Sequence, residues 1–322
     1  IALGELAAGD GGIAAILAQT STLAHALFDG AMSDAQRARH LPTFMADDGF
    51  HLACVESGAR VDAEWCYHRP AQPAAPALTA RRDGDGWVLD GRVAQVANAP
   101  LAKLFVVNLD AGSHALSLLV PRDAAGLTVE AVDVRTQSCL GVAGAVAFAG
   151  CRVAADGVLA RHAGADTPAA RLARCAVDLG IAQAAYEGAL AHAQLKVQGA
   201  RRIVEHEGVG ILCAEMLMRL EAARSQLWQA AWAVDHPQAR ADRSLPDLPL
   251  VELTGVFVAE AACAVAERAA EVMGAMGILR DMPYCRYVHE TRVFLHEGTG
   301  VTAAKLAIAE AIDGYARPSA AA

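Results

Sequence analysis

The sequence has no C-x-x-C pair: its eight cysteines, at 54, 66, 139, 151, 175, 213, 263 and 285, are scattered through 322 residues. Scattered thiols argue against a zinc knuckle or a paired redox motif and fit small buried side chains in a reducing cytosol. A cytoplasmic location is therefore the expectation. Cys66-Tyr67-His68 lacks a second ligand pair, so no metal site is expected. The sequence also lacks G-x-x-x-x-G-K-[ST], H-E-x-x-H and G-x-S-x-G, which leaves no phosphate loop, metalloprotease helix or hydrolase elbow. Positive charge is in deficit: the net charge is −9, so no nucleic-acid partner is expected, and Arg201-Arg202 reads as a solvated helix start. No uncharged apolar run reaches about 18 residues, so no membrane span is expected. The chain starts at Ile1, not Met, so its true beginning is expected to be missing and a signal peptide cannot be judged.

What is present is apolar and rich in alanine. Hydrophobic residues make up 54% and charged residues only 20%, a balance that suits a helix-dominated globular protein. Residues 2–46 read as helical, with Ile13, Ile16, Leu17, Leu23 and Leu27 on one face. Ser33 and Gln36 form a capping-box pattern opening a second helix, which Pro42 is expected to interrupt or end. From 50 to about 160 the period changes to that of strands. Asp83-Gly84-Asp85-Gly86 between 78–82 and 87–91 is a hairpin signal, and short β-rich runs follow at 104–108, 116–120, 127–132 and 145–148. The Pro-rich 70–76 reads as a surface loop. Helix returns with Thr167 as N-cap and Pro168 at the first helical position, over 168–198 and 203–234. In the second of these, Leu212, Met216, Leu220, Trp228 and Trp232 are expected to form one core stripe. Pro237, Pro246 and Pro249 break it; a third helix runs from 250 to about 273 and a fourth follows Thr299. Four long helices imply an antiparallel bundle.

The most informative stretch is 271–309. It joins a Gly-interrupted helix end, Gly274 and Gly277, to a mixed-charge segment and then to His296-Glu297-Gly298-Thr299-Gly300. Glu297 follows Phe294-Leu295 and precedes a Gly-Thr-Gly turn that opens an Ala-rich helix. An acid against apolar neighbours can be tuned for proton abstraction. The plainer reading is a first-turn helix acid favoured by the helix dipole.

These residues resemble the C-terminal signature of the flavin-dependent acyl-CoA dehydrogenases: "Q-x-x-G-G-x-G", an Arg-containing helix, then "Y-E-G-T". Here they read Glu271-Val272-Met273-Gly274-Ala275-Met276-Gly277 and His296-Glu297-Gly298-Thr299. Further matches are Gln36, Leu41-Pro42 and Glu56 in the "G-x-x-x-Q…L-P…T-E" run, and 86–92 for "G-x-x-L-x-G-x-K". The resemblance covers essentially the whole chain. It implies an acyl-CoA dehydrogenase-like fold: a truncated N-terminal α-helical part (1–48), a middle β-sheet or barrel domain (49–162) and a C-terminal four-helix bundle (163–322). It implies α,β-desaturation of an acyl-CoA thioester, with Glu297 as the base that removes the α-proton and FAD as hydride acceptor. It also implies an electron-transfer flavoprotein or similar acceptor as partner. Arg171 aligns with a family arginine near the catalytic glutamate, although an ordinary surface pair is the competing reading; Arg92 reads as structural. Val55, Ala97, Lys196, Gly274, Gly277 and Thr299 fall on cofactor-binding positions of the family pattern.

Several of those positions depart from the pattern. Val55 replaces a Thr or Ser that holds the flavin ring, and Gln95-Val96-Ala97 replaces Trp-Ile-Thr/Ser. Lys196 replaces the Arg of "R-x-x-F-G", losing its bidentate fork. Glu271 replaces Gln, and Val301 stands where Gln or Glu is usual. Together these imply that the chain does not complete a flavin site alone. That resembles the heteromeric acyl-CoA dehydrogenases of bacterial steroid catabolism, in which two related subunits pair. A homo- or hetero-oligomer is expected, and a non-catalytic structural subunit is the alternative.

Overall fold

A computed structural model of the chain describes residues 1–56, 76–110, 115–131, 142–164, 166–238, 248–296 and 300–313. The Pro-rich 70–76 loop and Cys66-Tyr67-His68 lie almost wholly or wholly outside them. The order is helices, then strands, then helices, as expected, and the described residues fall into two compact units.

The first unit holds residues 16–131 and 142–170. Its strands are β1 His51–Glu56, β2 Leu78–Asp83, β3 Gly86–Ala97, β4 Ala102–Asp110, β5 Ala115–Pro121, β6 Leu127–Ala131 and β7 Ala143–Val153. They form a three-stranded sheet, β1-β4-β5, and a four-stranded antiparallel sheet, β2-β3-β7-β6. The hairpin expected around Asp83–Gly86 is there: Asp83 pairs with Gly86, and Gly84 takes φ +66, a conformation Gly adopts without Cβ strain. Ala53 and Val55 of β1 pack with Phe105, Val107, Leu118, Val146 and Phe148 in one core. Leu52 and Cys54, pointing the other way, pack with Leu23, Leu27, Phe28, Leu104 and Leu119. β1 is thus apolar on both faces and pairs parallel to β4, which is why it shows no alternation in the sequence.

Helix α1 spans Ala2–Gly9, α2 Gly11–Ala26 with a π turn at Leu27–Ala31, and α3 Asp34–Ala46. The capping box forms: the Ser33 amide donates to Gln36 Oε1 at 2.8 Å, and the Gln36 amide to Ser33 Oγ at 3.3 Å. Gln36 Nε2 also donates to the carbonyls of Asp156 and Val158, at 2.8 and 2.9 Å. Pro42 does not end α3, contrary to expectation. The helix runs four residues further because Phe44 packs between Phe28 and Phe50, at ring separations of 5.1 and 5.7 Å. The stretch Gly11–Ala31 corrects the sequence reading too, since by length and composition alone it could cross a membrane. Half of its most apolar window is buried inside the fold, with Leu23, Leu27 and Phe28 in a core cluster, as in the core helix of a globular protein.

The second unit holds residues 1–15 and 171–313. Its long helices are α4 Pro168–Leu195, α5 Glu207–Asp235 and α6 Leu250–Met273. The fourth position is taken by two shorter helices, α7 Tyr284–His296 and α8 Gly300–Asp313. Thr167 caps α4 as expected, its Oγ1 accepting from the Ala170 amide at 3.1 Å. Arg201-Arg202 is not a helix start. It is strand β9, paired with β8 Val197–Gln198 through Gly199 and Ala200, both at positive φ. Alanine is the commonest residue of a core that also holds Leu179, Tyr186, Met216, Leu220 and Met273, and backbones touch: a Cβ on Gly180 would lie 2.2 Å from the Gly4 carbonyl oxygen.

The stripe expected on α5 is half right. Met216 and Leu220 are fully buried, but Trp228 and Trp232 are exposed. Successive steps of four advance 40° each around a helix of 3.6 residues per turn, so the stripe drifts off the core face. The buried face instead follows Cys213, Met216, Leu220, Ala223, Leu227, Ala230 and Ala233.

Candidate active site

Glu297, Gly298 and Thr299 lie outside the described residues. Their flanks are described: α7 ends at His296, and α8 opens at Gly300 with φ +70. The Ala-rich helix expected after Thr299 is present as α8. α7 is tied down by buried polar groups. Glu290 is fully buried and sits near Gly11, where a Cβ would lie 3.2 Å from Glu290 Oε2. Arg286 lies 3.9 Å from Glu290 and 3.8 Å from Asp10. α8 is held to α6 by Lys305 and Glu260.

Arg171 sits on the first turn of α4 and its Nη1 donates to Glu252 Oε1 on α6 at 3.1 Å. Gly274 caps α6 at φ +60, and no heavy atom lies within 4 Å of where its Cβ would be. Gly277 differs: a Cβ there would lie 2.3 Å from the Ala270 carbonyl oxygen, so the chain itself needs the glycine. Glu271 is paired with Arg268 at 2.7 Å. Lys196 is exposed at the end of α4, and its carbonyl accepts from the Ile203 amide at 2.9 Å across the base of the β8–β9 hairpin.

Val55 and Ala97 belong to the β unit. Val55 is fully buried opposite Val107, whereas Ala97 is exposed at the end of β3. The Ala97 carbonyl accepts from Gln19 Nε2 at 3.3 Å. The next residue, Asn98, is buried at φ +61 and donates to the Ile16 carbonyl at 3.1 Å, which fixes this turn. Arg92 lies 3.5 Å from Glu130, in a surface pair.

Sequence reasoning missed a polar network beside Val55. Asn108 Nδ2 donates to Glu56 Oε1 at 2.9 Å, to the Ala163 carbonyl at 3.0 Å and to Cys54 Sγ at 3.3 Å. Ser117 Oγ donates to Asn108 Oδ1 at 2.6 Å and lies 3.3 Å from His162 Nδ1. The one available signal was an asparagine inside the apolar run of β4. The network holds the Glu56 end of β1 against β4, β5 and residues 162–163.

Two buried thiols, Cys175 and Cys263, are poor nucleophiles. Burial, then the Asp178 charge, pushes Cys175 up to about 12; burial, then Glu267, pushes Cys263 up to about 11. Thiols so shifted stay protonated at neutral pH. Among the described residues no group of three or more His, Cys, Asp or Glu is placed to hold a metal.

Residues 162–311 match the family described as acyl-CoA dehydrogenase, C-terminal domain. The chain is 29% identical over 241 residues to the mitochondrial short-chain specific acyl-CoA dehydrogenase of Bos taurus, a match covering 70% of this chain. It spans 56% of that relative's length. Among solved structures it is similar to glutaryl-CoA dehydrogenase from Mycobacterium smegmatis, with a TM-score of 0.82 at 23% identity, covering 98% of this chain and 78% of the other. Another structure of that enzyme, in complex with FADH2, gives a TM-score of 0.78 at 21% identity over 98% and 79% of the two chains. A variant of the Tcur3481-Tcur3483 steroid ACAD gives 0.68 at 25% identity over 92% and 74%.

Proposed function

We propose that the chain belongs to the acyl-CoA dehydrogenase family and is a subunit of an FAD-dependent enzyme that desaturates an acyl-CoA thioester between its α and β carbons. The observation that carries the reading is the C-terminal domain match over 162–311, which includes Glu297-Gly298-Thr299. Glu297 is proposed as the base. A general base within reach of its proton contributes roughly 10²–10⁴-fold, and burial makes a carboxylate a stronger base toward a carbon acid. Hydrogen bonds to the thioester oxygen would stabilise the enolate that forms as the α-proton leaves. FAD, when bound, supplies the acceptor for the β-hydrogen as hydride. An electron-transfer flavoprotein or similar carrier is the proposed oxidant of the reduced enzyme.

The described residues fit a flavin in part. Gly274 leaves open surface for close approach, and Lys196 offers an exposed positive charge. Val55 and Ala97 have no side-chain hydrogen bond to give, and the space at Gly277 is filled by the chain itself. The best-supported arrangement is therefore a flavin held jointly with a second, related subunit. The similarity to a steroid ACAD whose name pairs two components agrees with that arrangement. Arg171, paired with Glu252, is proposed to position rather than react. A cytoplasmic site of action is part of the proposal, supported by the scattered cysteines of the sequence.

The test is Glu297→Gln in the assembled complex, with flavin content read from the visible spectrum. Loss of turnover by a factor of about 10² or more, with flavin retained, is the expected result. Undiminished turnover would move the chemistry to the partner and make this chain a structural subunit.

A further inference from the structure

The buried residues of α7 are Tyr284, Glu290 and Thr291, and the last two are polar. The helix therefore has no stripe of buried apolar residues to fix its place in the helical unit. Thr291 Oγ1 donates to the Tyr287 carbonyl of the same helix at 2.9 Å. Tyr284, at the start of α7, meets α4 at Gly188, where a Cβ would lie 2.6 Å from Tyr284 Oη. Further along, Glu290 is fully buried where α1 gives way to α2. Gly11, the first residue of α2, is wedged between Glu290 and α4: a Cβ there would lie 2.7 Å from Ile181 Cδ1 and 3.2 Å from Glu290 Oε2. Arg286, one turn earlier on α7, stands 3.9 Å from Glu290 Oε1 and 3.8 Å from Asp10 Oδ2. Asp10 Oδ1 in turn accepts from the Ile13 amide at 3.0 Å, at the start of α2.

We propose that Glu290 is a positioning residue: its buried carboxylate fixes the register of α7 against α2 and α4, and through α7 the place of Glu297 further along the chain. A carboxylate is costly to bury unless other charges compensate it. Two compensations meet here, the Arg286 guanidinium and the positive end of α2. A slip of α7 by one residue would move its end by about 1.5 Å and turn it by about 100°, taking the carboxylate away from both. An apolar side chain at this position would tolerate such a slip, whereas a charge does not, and setting register is the best-attested use of a buried charge. From Glu290 to the end of α7 at His296 is about 9 Å of helix, with no Pro or Gly to absorb motion. Misplacing a reacting group by about 1 Å can cost on the order of 10²-fold in rate. Arg292 pairs with Glu267 of α6, but both side chains are about half exposed, and such pairs contribute little.

The kinetic part of this inference rests on Glu297 as the proposed base; the anchoring of α7 does not. The test is amide hydrogen exchange and steady-state kinetics of the flavin-loaded complex, for wild type, Glu290→Gln and Glu290→Asp. In Glu290→Gln, exchange about 10-fold faster or more, confined to the second half of α7 and the start of α8, is expected. With it kcat falls about 10-fold or more while KM and flavin content hold, and Glu290→Asp, which keeps the charge, recovers part of the loss. Unchanged exchange in α7, a uniform rise across the chain, or a loosened α7 with unchanged kcat overturns the proposal. Should Glu290→Gln not fold, Arg286→Met decides: it removes the guanidinium and keeps much of the apolar stem. The same local rise in exchange then supports the anchor, and its absence overturns it. Undiminished turnover in Glu297→Gln would refute the proposed base, and exchange in Glu290→Gln alone would then decide whether Glu290 sets the place of α7.

Discussion

The two units reach a dry interior by opposite means. The β unit fills its core with large side chains, Phe105, Leu89, Leu118 and Phe148, aimed inward from two sheets. The helical unit fills its core by bringing backbones together over Ala182, Ala185, Ala189, Ala223, Ala262 and Ala269, with glycines where helices touch. One interior is built from large side chains throughout, and the other sets its large side chains, Met216, Leu220 and Tyr284 among them, between stretches of alanine. The first is therefore sensitive to what is removed, the second to what is added.

Three measurements sharpen that contrast. The largest effect is expected at Phe105→Ala, which empties the centre of the β core: a loss of about 3–5 kcal/mol in chemical denaturation. A β unit that kept its stability would mean that its sheets can collapse around a hole. In the helical unit the matching insult is one added methyl. Gly277→Ala places a Cβ against the Ala270 carbonyl and is expected to cost about 1–3 kcal/mol, read as a fall in the thermal midpoint. A neutral outcome would show that the turn after α6 yields more easily than its packing implies. The smallest effect is alkaline. Cys263 has its thiol raised to about 11 from an ordinary value of 9, so the unfolded chain loses that proton first. Its contribution is whole below pH 9 and is lost as pH rises from there towards 11. Cys263→Ala should flatten the fall in stability over that window; an unchanged slope would assign the alkaline loss to other groups.

The same contrast governs what could be read from the sequence. The β2–β3 hairpin was legible because Asp83-Gly84-Asp85-Gly86 carries its own turn chemistry, and the start of α4 because Thr167 and Pro168 carry theirs. β1 was not read as a strand, because a strand buried on both faces has no alternation to see. α7 was read only as mixed charge, since its fully buried positions include Glu290 and Thr291. On α5, apolar residues on two sides let a spacing of four look like one stripe when it crosses from core to surface. Of the site, the Glu297 motif was legible through family resemblance. The network of Asn108, Ser117 and His162 was not, because its contacts join residues far apart in the chain and leave no local pattern.

The parallel pairing of β1 with β4 also sets an order of events. Val55 meets Val107 across roughly 50 residues, whereas the β2–β3 hairpin closes over two, and closing the longer loop costs about 3 kcal/mol more in chain entropy. The hairpin and the β4–β5 pair can zip locally, and β1 then docks late onto an edge already made. The strand that carries Val55 and Glu56 is thus among the last parts of its sheet to arrive during refolding.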